Sequence, residues 1–280
     1  MSYGEIRVII ERWEATAMSR KLGVSEIKDG VYLLNEFDGA NCYLVTGTDS
    51  ALLIDCGTGV GDLKGTVESI TQLPLKIIAT HGHVDHIGGA GAFKEVFVHR
   101  DDCRFINKIQ FSLPARKLFV STNGAMKSNG ISAGDVIKSE YKTKFIPIDD
   151  GFSLNLGGKI ILVKHTPGHS VGSVAIIDEA DKIVFSGDNV CDALWLHLPG
   201  SASVEEWLPS ARWLLEMSRS YEIYWGHRNP KLTTEYIAQV VRWGEELLVK
   251  YKKNTPFLKY AKYPDRPDGI LYKTNRIHKK

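Results

Sequence analysis

The sequence predicts a mixed α/β chain built in two halves, and three observations predict it. Short runs rich in Val, Leu, Ile and Tyr recur along the chain, with helix-length segments between them. Each half runs from strands into helix. Several strand-like runs end on a His or Asp beside a Gly, where the backbone can turn tightly and functional side chains collect.

Taken in order, strands are expected near 30–36, 41–46 and 51–55, then a helix near 60–72 and a strand at 76–79. A further strand is expected near 95–98, ending at His99, which reads as structural. Residues 101–145 are too many for a connector. Arg104 to Leu118 has helical spacing, whereas Thr122 to Ser132 is rich in Gly, Ser and Asn, the make-up of a lid or binding loop. The second half has strands near 144–148, 153–156, 159–164, 173–178 and 182–186, and helices near 203–218 and 233–252. The two halves are consistent with a duplication, although no repeat is legible residue by residue.

The strongest functional signal is the run Thr80-His81-Gly82-His83-Val84-Asp85-His86. Three imidazoles and a carboxylate so close together cannot all sit in an apolar core, because unpaired buried polar groups cost too much. Their spacings of 2, 2 and 1 fit neither the helical nor the strand period. A loop that turns several of them onto one point does fit, and such a point is a metal. The alternative, a solvated His-rich turn, leaves the downstream pattern unexplained. His169 follows the run Lys159 to Lys164, Asp188 follows Lys182 to Phe185, and His227 follows Tyr221 to Trp225. Each has a Gly beside it, and Asp55 ends a fourth run, Ala51 to Ile54.

These stretches resemble the metallo-β-lactamase superfamily of hydrolases. The matching segments are LLIDCG at 52–57, THGHVDHIGG at 80–89, TPGHSVGS at 166–173, FSGD at 185–188 and GH at 226–227, in the family's order over roughly residues 27 to 230. The resemblance implies an αβ/βα four-layer sandwich of two mixed β-sheets flanked by helices, with metals at one edge. It implies that His81, His83 and His169 hold one metal, that Asp85, His86 and His227 hold the other, and that Asp188 bridges them. Asp55 would stand behind the ligands and orient their loop.

The donor set makes chemical sense by itself. Neutral imidazole and carboxylate suit two divalent transition-metal ions, zinc first, with iron or manganese as alternatives. Two cations close together lower the pKa of a shared water, and the hydroxide so formed attacks an electrophilic carbonyl or phosphoryl group. Asp85 is the expected catalytic residue, since it can both ligate and accept a hydrogen bond from the nucleophile.

Composition sets the remaining bounds. At 280 residues and 43 % hydrophobic content the chain can build a sizeable core. No apolar stretch approaches the ~20 residues of a membrane span. Met1 to Glu5 lacks a basic start before an apolar run, so no signal peptide is expected. Cys42, Cys56, Cys103 and Cys191 show no paired spacing, which favours a reduced, cytoplasmic setting. Cys56 and Cys191 lie near the candidate ligands, but small buried thiols are the simpler reading.

On the substrate side, Leu194 to Leu198 supplies large apolar residues just after Asp188 and reads as a pocket wall, with Trp195 and His197 as contacts. Phe37, in the Asn35 to Asn41 connection, is a contact candidate, and Arg228 is a candidate for a substrate carboxylate. His197 and, second to it, Tyr224 are candidate proton donors. Cys191 and Asp192 stand where lactone hydrolases of this family carry a tyrosine, which argues against a lactonase.

The domain division expected is a hydrolase domain over 1–254, with an insertion at about 101–145, and a basic, aromatic extension over 255–280. Residues 250–280 carry net charge +8 and interleave Tyr and Phe with Lys and Arg. Such a composition packs on the acidic body or on a second copy of the chain, or binds single-stranded nucleic acid. With a total net charge of +2, nucleic acid is not the expected partner. The expected substrate is a small acyl compound, a thioester or ester, with TPGHSVGS resembling the glyoxalase II-like branch. The alternatives are a phosphodiesterase or nucleic-acid-processing hydrolase, or a non-catalytic binding or sensing protein on the same scaffold.

Overall fold

Hydrophobic residues alternate or cluster in most of the strands, and the computed structural model, which describes residues 20–104, 106, 112–265 and 267–279, arranges the strands in three sheets. The first sheet takes its seven strands in chain order: β1 (Gly23–Lys28), β2 (Val31–Glu36), β3 (Ala40–Thr46), β4 (Ala51–Ile54), β5 (Leu75–Ile78), β6 (Glu95–His99) and β7 (Lys144–Ile148). It is mixed. β1 to β4 form an antiparallel meander, and β4 pairs with β5 in parallel after the crossover helix α1 (Leu63–Ile70). The Asp62 side chain accepts from Gly65 N and so caps that helix.

The second sheet has the order β14 (Lys231–Leu232), β13 (Glu222–Tyr224), β11 (Ile183–Phe185), β10 (Val174–Asp178), β9 (Ile160–His165), β8 (Ser153–Asn155). Only β11 and β13 pair in parallel, so it is mixed as well. The third sheet is small: β12 (Trp195–Leu196), β16 (Ile270–Lys273) and β15 (Tyr260–Tyr263), in that order.

The chain clusters into two compact units. Among the described residues, the first comprises those up to Ala79, His83–Val96 and those from Ile106 to Phe145; the second comprises Thr80–Gly82, those from Phe97 to Arg104 and those from Ile146 onward. The second unit carries the long helices α6 (Val204–Met217) and α7 (Thr234–Lys250). A capping box between Ser203 and Glu206 starts α6. Trp207, Leu208, Ala211 and Leu214 of α6 join Ile237, Val240, Val241 and Leu247 of α7 in one apolar cluster with Val184 and Ile223 of the sheet.

Three features depart from the expected order. β1 carries mostly exposed residues without an apolar alternation, so nothing in its side chains announces a strand. The metal-type run does not stay in a loop: after His83 it becomes one turn of helix, α2 (Val84–Ile87). The helical stretch expected over Arg104 to Leu118 is divided. A short helix α3 (Arg100–Cys103) precedes it, α4 (Leu113–Thr122) covers its end, and α5 (Gly124–Ser128) follows, while residues 105 and 107–111 lie outside the described residues. The N-terminal segment Met1 to Glu5 likewise lies outside them.

Candidate metal centre

The first unit brings together Asp55, Asp85 and His86. Asp55 follows β4 in a left-handed conformation (φ +63°), which Asp tolerates better than most residues. Its Oδ2 lies 2.8 Å from His86 Nδ1, and both side chains are buried. That bond fixes the imidazole through Nδ1 and leaves Nε2 as the ring atom on the other side, 4.0 Å from Asp85 Oδ2. His83 is the N-cap of α2, and its carbonyl accepts from His86 N and Ile87 N at 3.0 Å each.

The second unit brings together His81, His169, Asp188 and His227, each from a different loop. His81 and His169 meet edge to face with ring centroids 4.9 Å apart. His169 Nδ1 bonds the Trp195 carbonyl oxygen at 3.0 Å, and its Nε2 lies 3.8 Å from Asp188 Oδ2. The same carboxylate oxygen is 3.0 Å from His227 Nε2. Gly187 turns the chain into Asp188 at φ +53°, with Thr80 so close that a side chain at 187 would meet it at 2.8 Å.

In both units the pattern fits a transition metal. His86 and His169 are each fixed through Nδ1 by an oxygen behind the ring, with Nε2 directed toward a carboxylate oxygen. Borderline-soft nitrogen donors with a few carboxylate oxygens are the donor set that zinc, iron or manganese takes.

Comparison with known proteins decides the family. A family model of the metallo-β-lactamase superfamily matches residues 35–227, more than half of the chain. The chain belongs to the metallo-β-lactamase superfamily. It is an enzyme of that hydrolytic family, with the family's mixed α/β fold. The chain is similar to the acyl-coenzyme A thioesterase MBLAC2 of Homo sapiens, at 30 % identity over 66 % of this chain and 68 % of that protein. An uncharacterized protein of Aquifex aeolicus is 29 % identical over 67 % of this chain and 83 % of its own length. Among solved structures, a metallo-β-lactamase family protein from Thermus thermophilus aligns with a TM-score of 0.57 and 19 % identity, covering 89 % of this chain and all of that one. A sec-alkylsulfatase from a Pseudomonas species aligns with a TM-score of 0.63 and 17 % identity, over 82 % of this chain but 43 % of that one.

Two buried acidic residues that sequence reading passed over hold the loops that follow candidate residues in this superfamily member. Asp102, 2 % exposed, accepts from Gly82 N at 2.7 Å on Oδ2. The same oxygen accepts from the Ser170 hydroxyl at 2.7 Å, and Oδ1 accepts from Gly172 N at 2.8 Å. One side chain thereby fastens the turn after His81 to the turn after His169. Glu36, 1 % exposed, accepts from the N–H groups of Thr58, Gly59 and Val60 at 2.6, 2.9 and 2.7 Å. Arg116 of α4 takes the opposite side of that loop, donating to the carbonyls of Thr58 and Gly59 at 2.8 and 3.1 Å and to Ile137 at 2.7 Å. A side chain at Gly57 would strike the Glu36 carboxylate and one at Gly59 would strike Arg116. Burial pushes the Glu36 carboxyl up to about 7 against the pull of its N–H donors, and pulls Arg116 down to about 10. No motif announced either carboxylate; the hints were an acidic residue at the end of the apolar strand 31–36 and a pair of Asp residues after the strand 95–98.

The residues expected to contact substrate are not alike. Phe37, at φ +52°, is half-buried against the small cluster of Val60, Val120 and Met126. The wall expected over Leu194 to Leu198 divides by strand period: Leu194 and Leu196 are buried in the core, whereas Trp195 is 44 % exposed and His197 is half-buried. Arg228 is exposed. Tyr224 is buried and donates to Glu222 Oε2 at 3.0 Å, and burial pushes its hydroxyl up to about 12, which ill suits a proton donor near neutral pH. His165 stacks on His99 with centroids 3.9 Å apart. Cys42, Cys56 and Cys191 are buried and burial pushes all three thiols up, as small core residues rather than nucleophiles.

Proposed function

We propose that this chain is a dinuclear metal-dependent hydrolase that cleaves an acyl thioester. The observation that carries the reading is the similarity to an acyl-coenzyme A thioesterase over two-thirds of both chains, in a superfamily member that retains every ligand type at its motif positions. By the superfamily's pattern, His81, His83 and His169 would hold one ion, Asp85, His86 and His227 would hold the second, and Asp188 would be available to both. Two such ions, zinc first, would when bound supply a nucleophilic water at neutral pH and an electrophile for the thioester oxygen. Asp85 would orient that water by accepting its hydrogen bond. Asp55 holds the His86 ring in one orientation, as the Trp195 carbonyl does for His169. No serine or cysteine nucleophile is required, and no covalent acyl-enzyme is formed. The substrate is a small molecule, and among the described residues no helix is long and apolar enough to cross a membrane.

The test couples metal analysis of the purified protein to a panel of acyl-coenzyme A thioesters, simple esters, lactones, β-lactams and bis-p-nitrophenyl phosphate. Close to two transition-metal ions per chain and selective thioester hydrolysis are expected. One ion or none after reconstitution sinks the dinuclear assignment. Metal-dependent cleavage of the phosphodiester alone replaces the thioesterase with a phosphodiesterase.

A further inference from the structure

The third sheet is amphipathic in a way that folding does not require. Its register places Leu196, Tyr272 and Ala261 in one row, and these pack in the core cluster with Leu194, Ile270 and Tyr263. The alternate positions face away from that core. One outward row is Trp195, Leu271 and Lys262. In the next row Lys273 pairs with Tyr260, and His197 follows β12 at the same level. Ring contacts confirm the common face: Trp195 meets His197 at 5.7 Å, and His197 meets Tyr260 at 6.0 Å. Trp195 is 44 % exposed and Tyr260 is 61 % exposed. Large aromatics lined up on an outward face, with lysines beside them, are the composition of a ligand surface rather than of a solvated one.

This strip also adjoins the candidate centre. The Trp195 carbonyl holds His169 Nδ1 at 3.0 Å, so the face begins one backbone atom away from a proposed ligand. Its chemistry selects a ligand with flat rings and phosphates. Aromatic side chains stack on a base, and lysine ammoniums attract phosphate as point charges. Burial and the neighbouring Lys273 hold His197 below its ordinary pKa, so at neutral pH it adds a ring to the strip rather than a third cation.

Resting on the thioesterase reading, we propose that this face binds the nucleotide and phosphate part of a coenzyme A-type carrier. Its base lies on the Trp195, His197 and Tyr260 strip, and its phosphates pair with Lys262 and Lys273. The C-terminal β-hairpin is therefore part of the substrate site, and it holds the carrier while the thioester reaches the metal-bearing loops.

The test uses desulfo-coenzyme A, which lacks the thiol that could itself ligate a metal, and the full-length, metal-loaded protein. Binding is measured calorimetrically at low and high salt, for the wild type, Tyr260→Ser and Lys262→Glu, with thermal melting of each variant as the check on folding. Wild-type binding that weakens with salt, and a loss of about tenfold in each variant, are expected from the removal of one stacking or phosphate contact. In turnover, the ratio of kcat/KM for an acyl-coenzyme A to that for the same acyl group on a short neutral thiol falls in both variants. Variants that melt normally and bind desulfo-coenzyme A as tightly as the wild type overturn the proposal, even if thioesters are hydrolysed. Loss of binding in the variants supports it, even if no thioester is turned over. Retention of single-stranded RNA that desulfo-coenzyme A does not displace overturns it in favour of nucleic acid.

Discussion

Glu36 and Asp102 are both buried carboxylates that accept backbone N–H groups from glycine-containing loops, one in each compact unit. Glu36 takes its three N–H groups from one unbroken stretch, Thr58 to Val60. Asp102 takes donors from two turns, Gly82 at 20 residues' separation and Ser170 and Gly172 at 68 and 70. The first shapes a single loop; the second ties distant loops that carry His81 and His169. The candidate ligands show the same contrast. Asp85 and His86 of the first unit are neighbours on one helical turn, whereas His81, His169, Asp188 and His227 of the second come from separate loops. The first unit's pair comes from local sequence and the second unit's set from tertiary contacts, and the two sets should respond differently to mutation.

The largest effect should come from the local set. On the proposed reading, Asp85→Asn keeps the size of the side chain but would weaken it as a ligand and as an acceptor for the nucleophile. Thioester turnover should fall roughly a thousandfold or more, with the melting temperature little changed. An equal substitution in the distributed set, Asp188→Asn, should lower turnover and also the number of metal ions retained. If Asp85→Asn keeps wild-type kcat, Asp85 has no part in the reaction.

That contrast also explains what the sequence made legible. His81 to His86 could be read because residues of one chemistry stand close together and fit no regular period. His169, Asp188 and His227 could be read because each follows an apolar run and neighbours a Gly. Asp102 and Glu36 could not, because what marks them is the set of N–H groups that folding brings to them, and an isolated acidic residue at a strand end is ordinary. The same holds at the edges of the fold. The third sheet joins Trp195 to residues some seventy-five positions later; the basic, aromatic composition of the extension suggests packing, but its two short strands and their pairing with Trp195 and Leu196 show only in the register.

Removing the distributed anchor should be the next largest effect. Asp102→Ala leaves two buried N–H groups and a hydroxyl without their acceptor, a loss of about 2–4 kcal/mol in denaturant unfolding. It should also weaken metal retention against a chelator, since the turns after His81 and His169 lose their common tie. If stability falls but metal affinity does not, Asp102 supports the fold alone and the comparison between the units breaks.

Glu36 should reveal itself through pH. Its folded carboxyl is raised from 4.5 to about 7, so the protonated form is favoured by folding. The contribution is fully present below the unfolded value near 4.5 and is lost as pH rises through about 7. Across that window the folding free energy should decline by about 3 kcal/mol, the linkage value of a shift of this size, if no other group moves. In Glu36→Gln the slope should flatten. Gln also turns an amide N–H₂ toward one of the donors that Glu36 accepts, so the variant should be less stable than the wild type at low pH, where the carboxyl is neutral in both states. A wild-type stability that rises from pH 5 to 7 with the same slope in the variant would remove Glu36 from this account.

Ser170→Ala should show the smallest effect, and it sharpens the comparison most finely. Ser170 Oγ donates to Asp102 Oδ2 at 2.7 Å and lies 2.8 Å from Ser173 Oγ, with both hydroxyls buried. Its loss removes one of three donors from Asp102 while Gly82 N and Gly172 N keep the carboxylate anchored. The expected cost is about 1 kcal/mol, the net value of one such hydrogen bond, and metal affinity should stay close to wild type. In the double variant with Asp102→Ala the two losses should not add, because the serine has no carboxylate left to bond. A double-mutant cycle with a coupling energy near zero would mean that Ser170 and Asp102 act independently, and the tie between the two turns would then rest on the backbone N–H groups alone.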